Sequence, residues 1–149
     1  MKKLKMKITS ELRQDPVSGD WVLLAHLRRN RHKLEGRVKT LLPKNKCPFD
    51  NLAKFGNFPP ILVYPAKRGW FLQIIPNKYP ALEHGDCGLV SKNGLYQSRS
   101  GTGFHEIVIL RDHNRYLAQY SAVEIKKILM AYQDRYLSLA KEKCIKYVS

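Results

Sequence analysis

Residues 121–140, "SAVEIKKILMAYQDRYLSLA", strongly favour one local conformation, and that conformation dictates what the rest of the chain must supply. Ser121 followed three residues later by Glu124 is a capping box, in which each side chain satisfies a backbone N–H that the first helical turn leaves without a partner. Ile125, Ile128, Leu129, Tyr132, Tyr136, Leu139 and Ala140 then recur at helical spacing and form one apolar stripe. Such a stripe needs a sheet to lie on. Strands are expected at Trp21–Leu27, in "WFLQIIPNKYPAL", and in "FHEIVILRDH", where His105, Ile107 and Ile109 share one face and Glu106, Val108 and Leu110 the other. With no internal repeat and no heptad register, the fold class is α+β, an antiparallel sheet covered by one long helix.

The segments between these elements read as connections. Asp15-Pro16-Val17-Ser18-Gly19-Asp20 is a turn that feeds the first strand. The prolines of "KFGNFPPILVYPAKRG" limit it to short extended pieces, and the Gly/Ser-rich "EHGDCGLVSKNGLYQSRSGTG" reads as a long exposed loop. The final "CIKYVS" begins another β-like run, so the domain looks incomplete at that point. Residues 1–9 form a basic extension, and residues 10–149 form a single domain, since a chain of 149 residues has room for one core and not comfortably two.

A formal net charge of +15 attracts polyanions, whether nucleic acid, anionic lipid or phosphorylated metabolites. The excess is concentrated in residues 1–46, which hold 13 Lys/Arg against 4 Asp/Glu, while residues 47–149 hold 14 against 8. Cys47, Cys87 and Cys144 are an odd number without a framework, which argues against a disulfide-stapled secreted domain and for a reducing compartment. The start "MKKLKMKITSELRQD" has no apolar region of the kind a secretory signal needs, and no run is long enough for a membrane helix. The chain is expected to be soluble and cytoplasmic, with no membrane partner.

His26, His32, His84, His105 and His113 form no H-x-H or H-E-x-x-H pair, and no G-x-S-x-G, G-x-G-x-x-G or Walker A loop is present. Arg28-Arg29-Asn30-Arg31 at a strand end is either a diphosphate grip, because guanidinium forks pair bidentately with phosphate oxygens, or a solvated basic loop. Nucleic-acid binding would want aromatic rings among the basic residues, and residues 28–46 contain none. Pro76-Asn77-Lys78-Tyr79-Pro80 is a rigid corner that holds an amide and a ring in place, or else a plain turn. Cys47-Pro48-Phe49-Asp50 has the spacing of a metal knuckle with a carboxylate where the second sulfur belongs, which leaves a metal ligand pair and a simple turn both open.

Taken in order, "ELRQDPVSGDWVLLA", the Arg28-x-x-Arg31 loop, "CPFD" against C-P-F-C, "IPNKYPAL" against P-N-K-[FY]-P-A-L, "GFHEIVI" against G-x-H-E-V-x-I, and Asp112-His113 before the capped helix resemble the N-terminal part of the galactose-1-phosphate uridylyltransferase family, in the histidine-triad-like superfamily. The resemblance implies an incomplete histidine-triad-like domain from a transferase of galactose metabolism. Such an enzyme passes a uridylyl group between UDP-glucose and a hexose 1-phosphate through a uridylyl-histidine, which splits one hard displacement into two. It implies that Arg28, Arg31, Phe49, Asn77 and Lys78 border the nucleotide and that Cys47, Asp50 and His113 are zinc ligands, Asp50 standing where the family has its second cysteine. His105 falls at the G-x-H-E position and reads as structural. The family's nucleophile lies in an H-P-H-x-Q-like segment beyond the strand that "CIKYVS" begins, so no catalytic residue is expected in this chain. The family frame therefore expects a fragment or half-enzyme, completed by a second polypeptide or in a homodimer. Two other readings stay open: a basic polyanion- or nucleic-acid-binding module on an inherited fold, and a related nucleotidyltransferase or phosphorylase.

Overall fold

The structure, a computed structural model, describes residues 10–26, 28, 43–65, 69–85, 87 and 90–148. Its chain divides into two compact units, Met1–His32 with Tyr79–His105, and Lys33–Lys78 with Glu106–Ser149. The fold class is α+β, with antiparallel sheets and one long helix. Among the described residues no helix is long and apolar enough to cross a membrane.

The first unit is a four-stranded antiparallel sheet. Its strands are β1 (Ser10–Gln14), β2 (Trp21–Ala25), β5 (Val90–Asn93) and β6 (Tyr96–Ser100), in spatial order β2-β1-β6-β5. The Asp15 carboxylate shapes the β1–β2 turn by accepting from the backbone N–H of Val17 (2.7 Å), and Gly19 adopts φ +78° as the chain returns. On one face the Arg99 guanidinium lies 4.2 Å over the Trp21 ring. The segment expected to be a long loop instead contains the β5–β6 hairpin, turned over Gly94 and Leu95 with Gly94 at φ +60°. Asn93-Gly94 was the signal for that turn, but β5 is exposed along its whole length and has no apolar alternation to announce a strand. Strand β1, Ser10–Gln14, precedes the Asp15–Asp20 turn and was not among the expected strands.

At the end of β6, Gly101 runs against Ser10. Its N–H donates to the Ser10 carbonyl (3.0 Å), and a Cβ there would lie 2.3 Å from Ser10 Oγ and 3.0 Å from the Ser10 carbonyl carbon. Ser10 Oγ in turn donates to the Ala81 carbonyl, and the Ala81 N–H donates to His105 Nδ1 (2.8 Å). In this unit His105 therefore holds a backbone segment, which matches its structural reading.

The second unit carries β3 (Leu62–Tyr64), β4 (Leu72–Pro76) and β7 (Glu106–Leu110) in the order β3-β4-β7, and the helix α1 (Ala122–Leu139). Central β4 holds the three largest fully buried side chains, Leu72, Ile74 and Ile75. Leu72 and Ile74 pack with Ile128 and Ala131 of α1, flanked by Leu62, Tyr64, Val108, Leu110 and Ile125. The capping box forms: Ser121 Oγ accepts from Glu124 N–H, and the Glu124 carboxylate accepts from Ser121 N–H (2.8 Å). The buried face of α1 is rotated from the expected stripe, however. Leu129, Tyr132 and Tyr136 are half or more exposed, and Ala131 is buried in their place. Ile128 and Ala131 pack on Leu72 and Ile74, and Arg135 continues the same row, its Nε donating to Glu106 Oε2 of β7 (2.7 Å). The "CIKYVS" run forms no strand: its described part, 144–148, is turn and irregular chain with no ladder partner.

Gly101→Ala should destabilise the chain by about 1–3 kcal/mol, because the added methyl must displace the Ser10 backbone as well as its hydroxyl. A urea midpoint equal to that of the wild type would show that this approach yields easily.

Candidate functional site

The candidate site lies wholly in the second unit, where the loop before β3 meets the turn after β7. A single 3-10 turn, Lys44–Lys46, delivers Cys47, whose N–H donates to the Pro43 carbonyl (3.1 Å). The Asp50 N–H donates back to the Cys47 carbonyl (3.3 Å), and Asn57 Nδ2 holds the Pro48 carbonyl (3.0 Å). Cys47-Pro48-Phe49-Asp50 is therefore a tight turn with both ends of the motif on one side. Cys47 is buried and is a free cysteine.

His113 arrives from the other direction. Its Nδ1 lies 3.2 Å from the Leu110 carbonyl at the end of β7, a contact that assigns the proton to Nδ1 and leaves a lone pair on Nε2. That Nε2 lies 3.1 Å from Cys47 Sγ and 3.8 Å from Asp50 Oδ2, and the three ligand atoms all lie within 4.8 Å of one another. A tetrahedral zinc with bonds of about 2.3 Å to sulfur and about 2.0–2.1 Å to nitrogen has a sulfur–nitrogen edge of about 3.5 Å. The observed sulfur–nitrogen separation of 3.1 Å is a few tenths of an ångström shorter than that edge, and Asp50 Oδ2 lies 3.8 Å from the same nitrogen. A ligating histidine also characteristically donates its other N–H to a backbone carbonyl, as His113 does. Thiol, imidazole and carboxylate thus fit a small divalent ion, with the carboxylate the hardest of the three donors.

The turn that carries His113 is tied down on its far side. The Tyr120 hydroxyl donates to the Asp112 carbonyl, and Tyr120 is itself buried, with its ring edge-on to Phe71 at 6.1 Å. Arg115 stacks its guanidinium 4.0 Å over the Tyr120 ring, donates to the Gln119 carbonyl, and pairs with Glu124 at 3.2 Å. Burial, then the neighbouring Asp112 carboxylate, pushes the Tyr120 hydroxyl above its ordinary range, so it stays a donor. Sequence reasoning did not find Tyr120, Arg115 or the Arg115–Glu124 pair. The capping box disclosed Glu124, but no spacing rule links it to a residue nine positions earlier.

Of the expected nucleotide residues, Phe49 is beside the Cys47–Asp50–His113 cluster, its ring edge-on to His113 at 6.3 Å. Lys78 reaches back to the same loop and donates to the Phe55 carbonyl (3.0 Å), and half-buried Asn77 precedes it at the end of β4. Arg28 is half-buried and belongs to the first unit. Arg31 lies outside the described residues.

No protein-family model matches the chain. ADP-glucose phosphorylase of Arabidopsis thaliana is 30% identical over an alignment that covers 93% of this chain and 41% of that protein. The crystal structure of an Arabidopsis thaliana ADP-glucose phosphorylase with bound ADP-glucose superposes with a TM-score of 0.54 at 28% identity, covering 93% of this chain and 40% of that one. A uridylyltransferase structure superposes at 0.58 with 25% identity, covering 92% and 37%. The chain therefore has the fold of nucleotidyl-transferring enzymes and is similar in sequence to them. It spans about two fifths of their length.

Glu124 joins helix start and site. Its carboxylate is lowered from 4.5 to about 2, first by the Ser121 backbone N–H and then by the Arg115 guanidinium and the Ser121 hydroxyl. Because the folded pKa lies below the unfolded one, the stabilisation is complete above about pH 4.5 and is lost as the pH falls through about 2. The stability of the wild type over Glu124→Gln should be largest at neutral pH and shrink across that window. Urea midpoints of both chains taken from neutral pH down to about pH 2 check it, and a constant difference would contradict it.

Proposed function

We propose that this chain is the front portion of a nucleotidyl-transferring enzyme whose donor is a nucleoside-diphosphate hexose, and that Cys47, Asp50 and His113 hold a zinc ion in it. The observation that carries the reading is the meeting of those three donors across 66 residues of sequence, at the motif positions from which the resemblance started. The likeness to an ADP-glucose phosphorylase and a uridylyltransferase over more than nine tenths of the chain supports the same class. In this reading Arg28 and Arg31 pair with the diphosphate oxygens, Phe49 walls the base, and Asn77 with Lys78 borders the nucleotide. Zinc supplies a cross-link that holds the Cys47–Asp50 turn to the turn after β7. None of these 149 residues is assigned as the nucleophile, and the part proposed for them is to bind the donor.

UDP-glucose with a hexose 1-phosphate as acceptor is the finer assignment, carried by the uridylyltransferase motifs. The phosphorylase likeness makes ADP-glucose the competing donor. A cytoplasmic setting completes the reading.

Zinc analysis of the purified chain should find about one equivalent, lost in Cys47→Ser and reduced in Asp50→Ala, since each removes one of the few ligands such a site has. A metal-free wild type would reduce the cluster to a hydrogen-bonded corner. Calorimetric titration with UDP-glucose and ADP-glucose separately should show binding of one in preference, weakened about tenfold or more in Arg28→Ala, the usual size of a lost charge-assisted phosphate contact. Failure to bind either, even when mixed with a polypeptide that carries an H-P-H segment, would overturn the reading.

A further inference from the structure

We propose that Tyr120 is a positioning residue for the Cys47–Asp50–His113 cluster: its hydroxyl fixes the Asp112 carbonyl and thereby the turn that aims His113 Nε2 at Cys47 and Asp50. The proposal deepens the zinc reading above and rests on it for the identity of the ion. His113 sits on a turn that leaves β7 at Leu110, and a short turn of this kind is free to tilt unless its carbonyls are held. Three contacts hold it. Leu110 O accepts from His113 Nδ1, and the Asp112 carbonyl accepts both from the Arg115 backbone N–H (3.2 Å) within the turn and from the Tyr120 hydroxyl, which ties the turn to the start of α1. The peptide that Tyr120 binds is the one that joins Asp112 to His113, so any tilt of that peptide swings the imidazole directly.

The tyrosine is itself fixed from three sides. Phe71 packs edge-on against its ring, Arg115 covers the ring face, and the chain enters α1 at the next residue, where Ser121 and Glu124 lock the helix start. Arg115 connects the two ends of this arrangement, because the guanidinium that stacks on Tyr120 also pairs with Glu124 and lies 3.8 Å from the Asp112 carboxylate. The rigidity of α1's capped first turn is thus passed through one ring to the backbone of a metal-binding histidine. Partners one layer behind a ligand act in this way, and losing one typically weakens metal binding by about 10–100-fold.

Tyr120→Phe keeps the ring and removes only the hydroxyl, so it separates positioning from packing. The probe is cobalt(II) added to the metal-free 149-residue chain, read by the thiolate-to-cobalt charge-transfer absorbance that reports Cys47 ligation, alongside a urea midpoint. Tyr120→Phe should bind cobalt about tenfold or more weakly than the wild type. Tyr132→Phe, on the exposed side of α1, should bind like the wild type. Equal cobalt affinity in Tyr120→Phe and the wild type overturns the positioning role while leaving the metal site standing. Should the wild type take no cobalt, the zinc reading fails, and the imidazole nitrogen shifts of His113 decide the positioning role alone. A single Nδ1–H tautomer in the wild type that becomes a mixture in Tyr120→Phe upholds it, and the same tautomer in both rejects it. If Tyr120→Phe does not fold, Arg115→Lys takes its place. It keeps the charge but loses the planar stack, and the same loss of affinity is expected with unchanged affinity again the overturning result.

Discussion

Burial of β4 is the constraint on which the second unit depends. Leu72, Ile74 and Ile75 are almost wholly inaccessible and even Gln73 is buried, so this strand must be paired on both edges and covered. The antiparallel partners β3 and β7 meet the first demand, and α1 covers the Leu72–Ile74 side. Once β4 is placed, the register Leu72↔Leu110 through Pro76↔Glu106 places β7, and a slip of one residue would turn every β7 side chain to the wrong face. The packing of Ile128 and Ala131 on β4 and the Glu106–Arg135 pair agree on one roll of α1 over the sheet.

The candidate site inherits its geometry from that register. Leu110 is the last residue of β7, and its carbonyl orients the His113 ring. At the opposite end of β4, Pro76 closes the strand and sends the chain through Asn77 to Lys78, which returns to the Phe55 carbonyl in the same loop that carries Cys47. Asn57 and Lys78 hold backbone carbonyls of the Cys47 loop, Tyr120 and Arg115 brace the turn of His113, and the thiol, imidazole and carboxylate meet where the two come together.

Legibility followed local physics closely. The capping box, the apolar alternation of β7 and the turn at Asp15–Asp20 were all readable, because each is settled within a few residues. The roll of α1 was not, since Arg135, on the row of Ile128 and Ala131, meets Glu106 29 positions away, and a charged residue on that row violates the simple apolar stripe. The β5–β6 hairpin was missed because its strands are polar and exposed, leaving only Asn93-Gly94 as a cue, and the "CIKYVS" run has strand-like residues but no strand beside it. The cluster itself was legible only through the ordered motifs, since nothing in the spacing of Cys47 and His113 announces a 3.1 Å contact. Tyr120 carries no motif at all. A lone tyrosine before a helix cap is ordinary until its hydroxyl is seen to have a partner.

The acidic residues also explain why so much positive charge remains for a ligand. Glu11 is paired with Arg13, Asp15 shapes a turn, Asp50 faces His113, Glu106 holds Arg135, and Asp112 with Glu124 engages Arg115. Each of these carboxylates is committed to a local contact, and there are only 12 in the whole chain against 27 Lys and Arg. The cations they neutralise are few, and most of the basic surplus, richest in residues 1–46, has no carboxylate to offset it. A field of that sign raises the local concentration of polyphosphates before any specific contact is made. Selection among them falls to the short-range groups, because a guanidinium fork or an aromatic wall can recognise a diphosphate or a base where net charge cannot. Net charge of this kind governs how quickly a polyanion arrives, and short-range contacts govern which one stays.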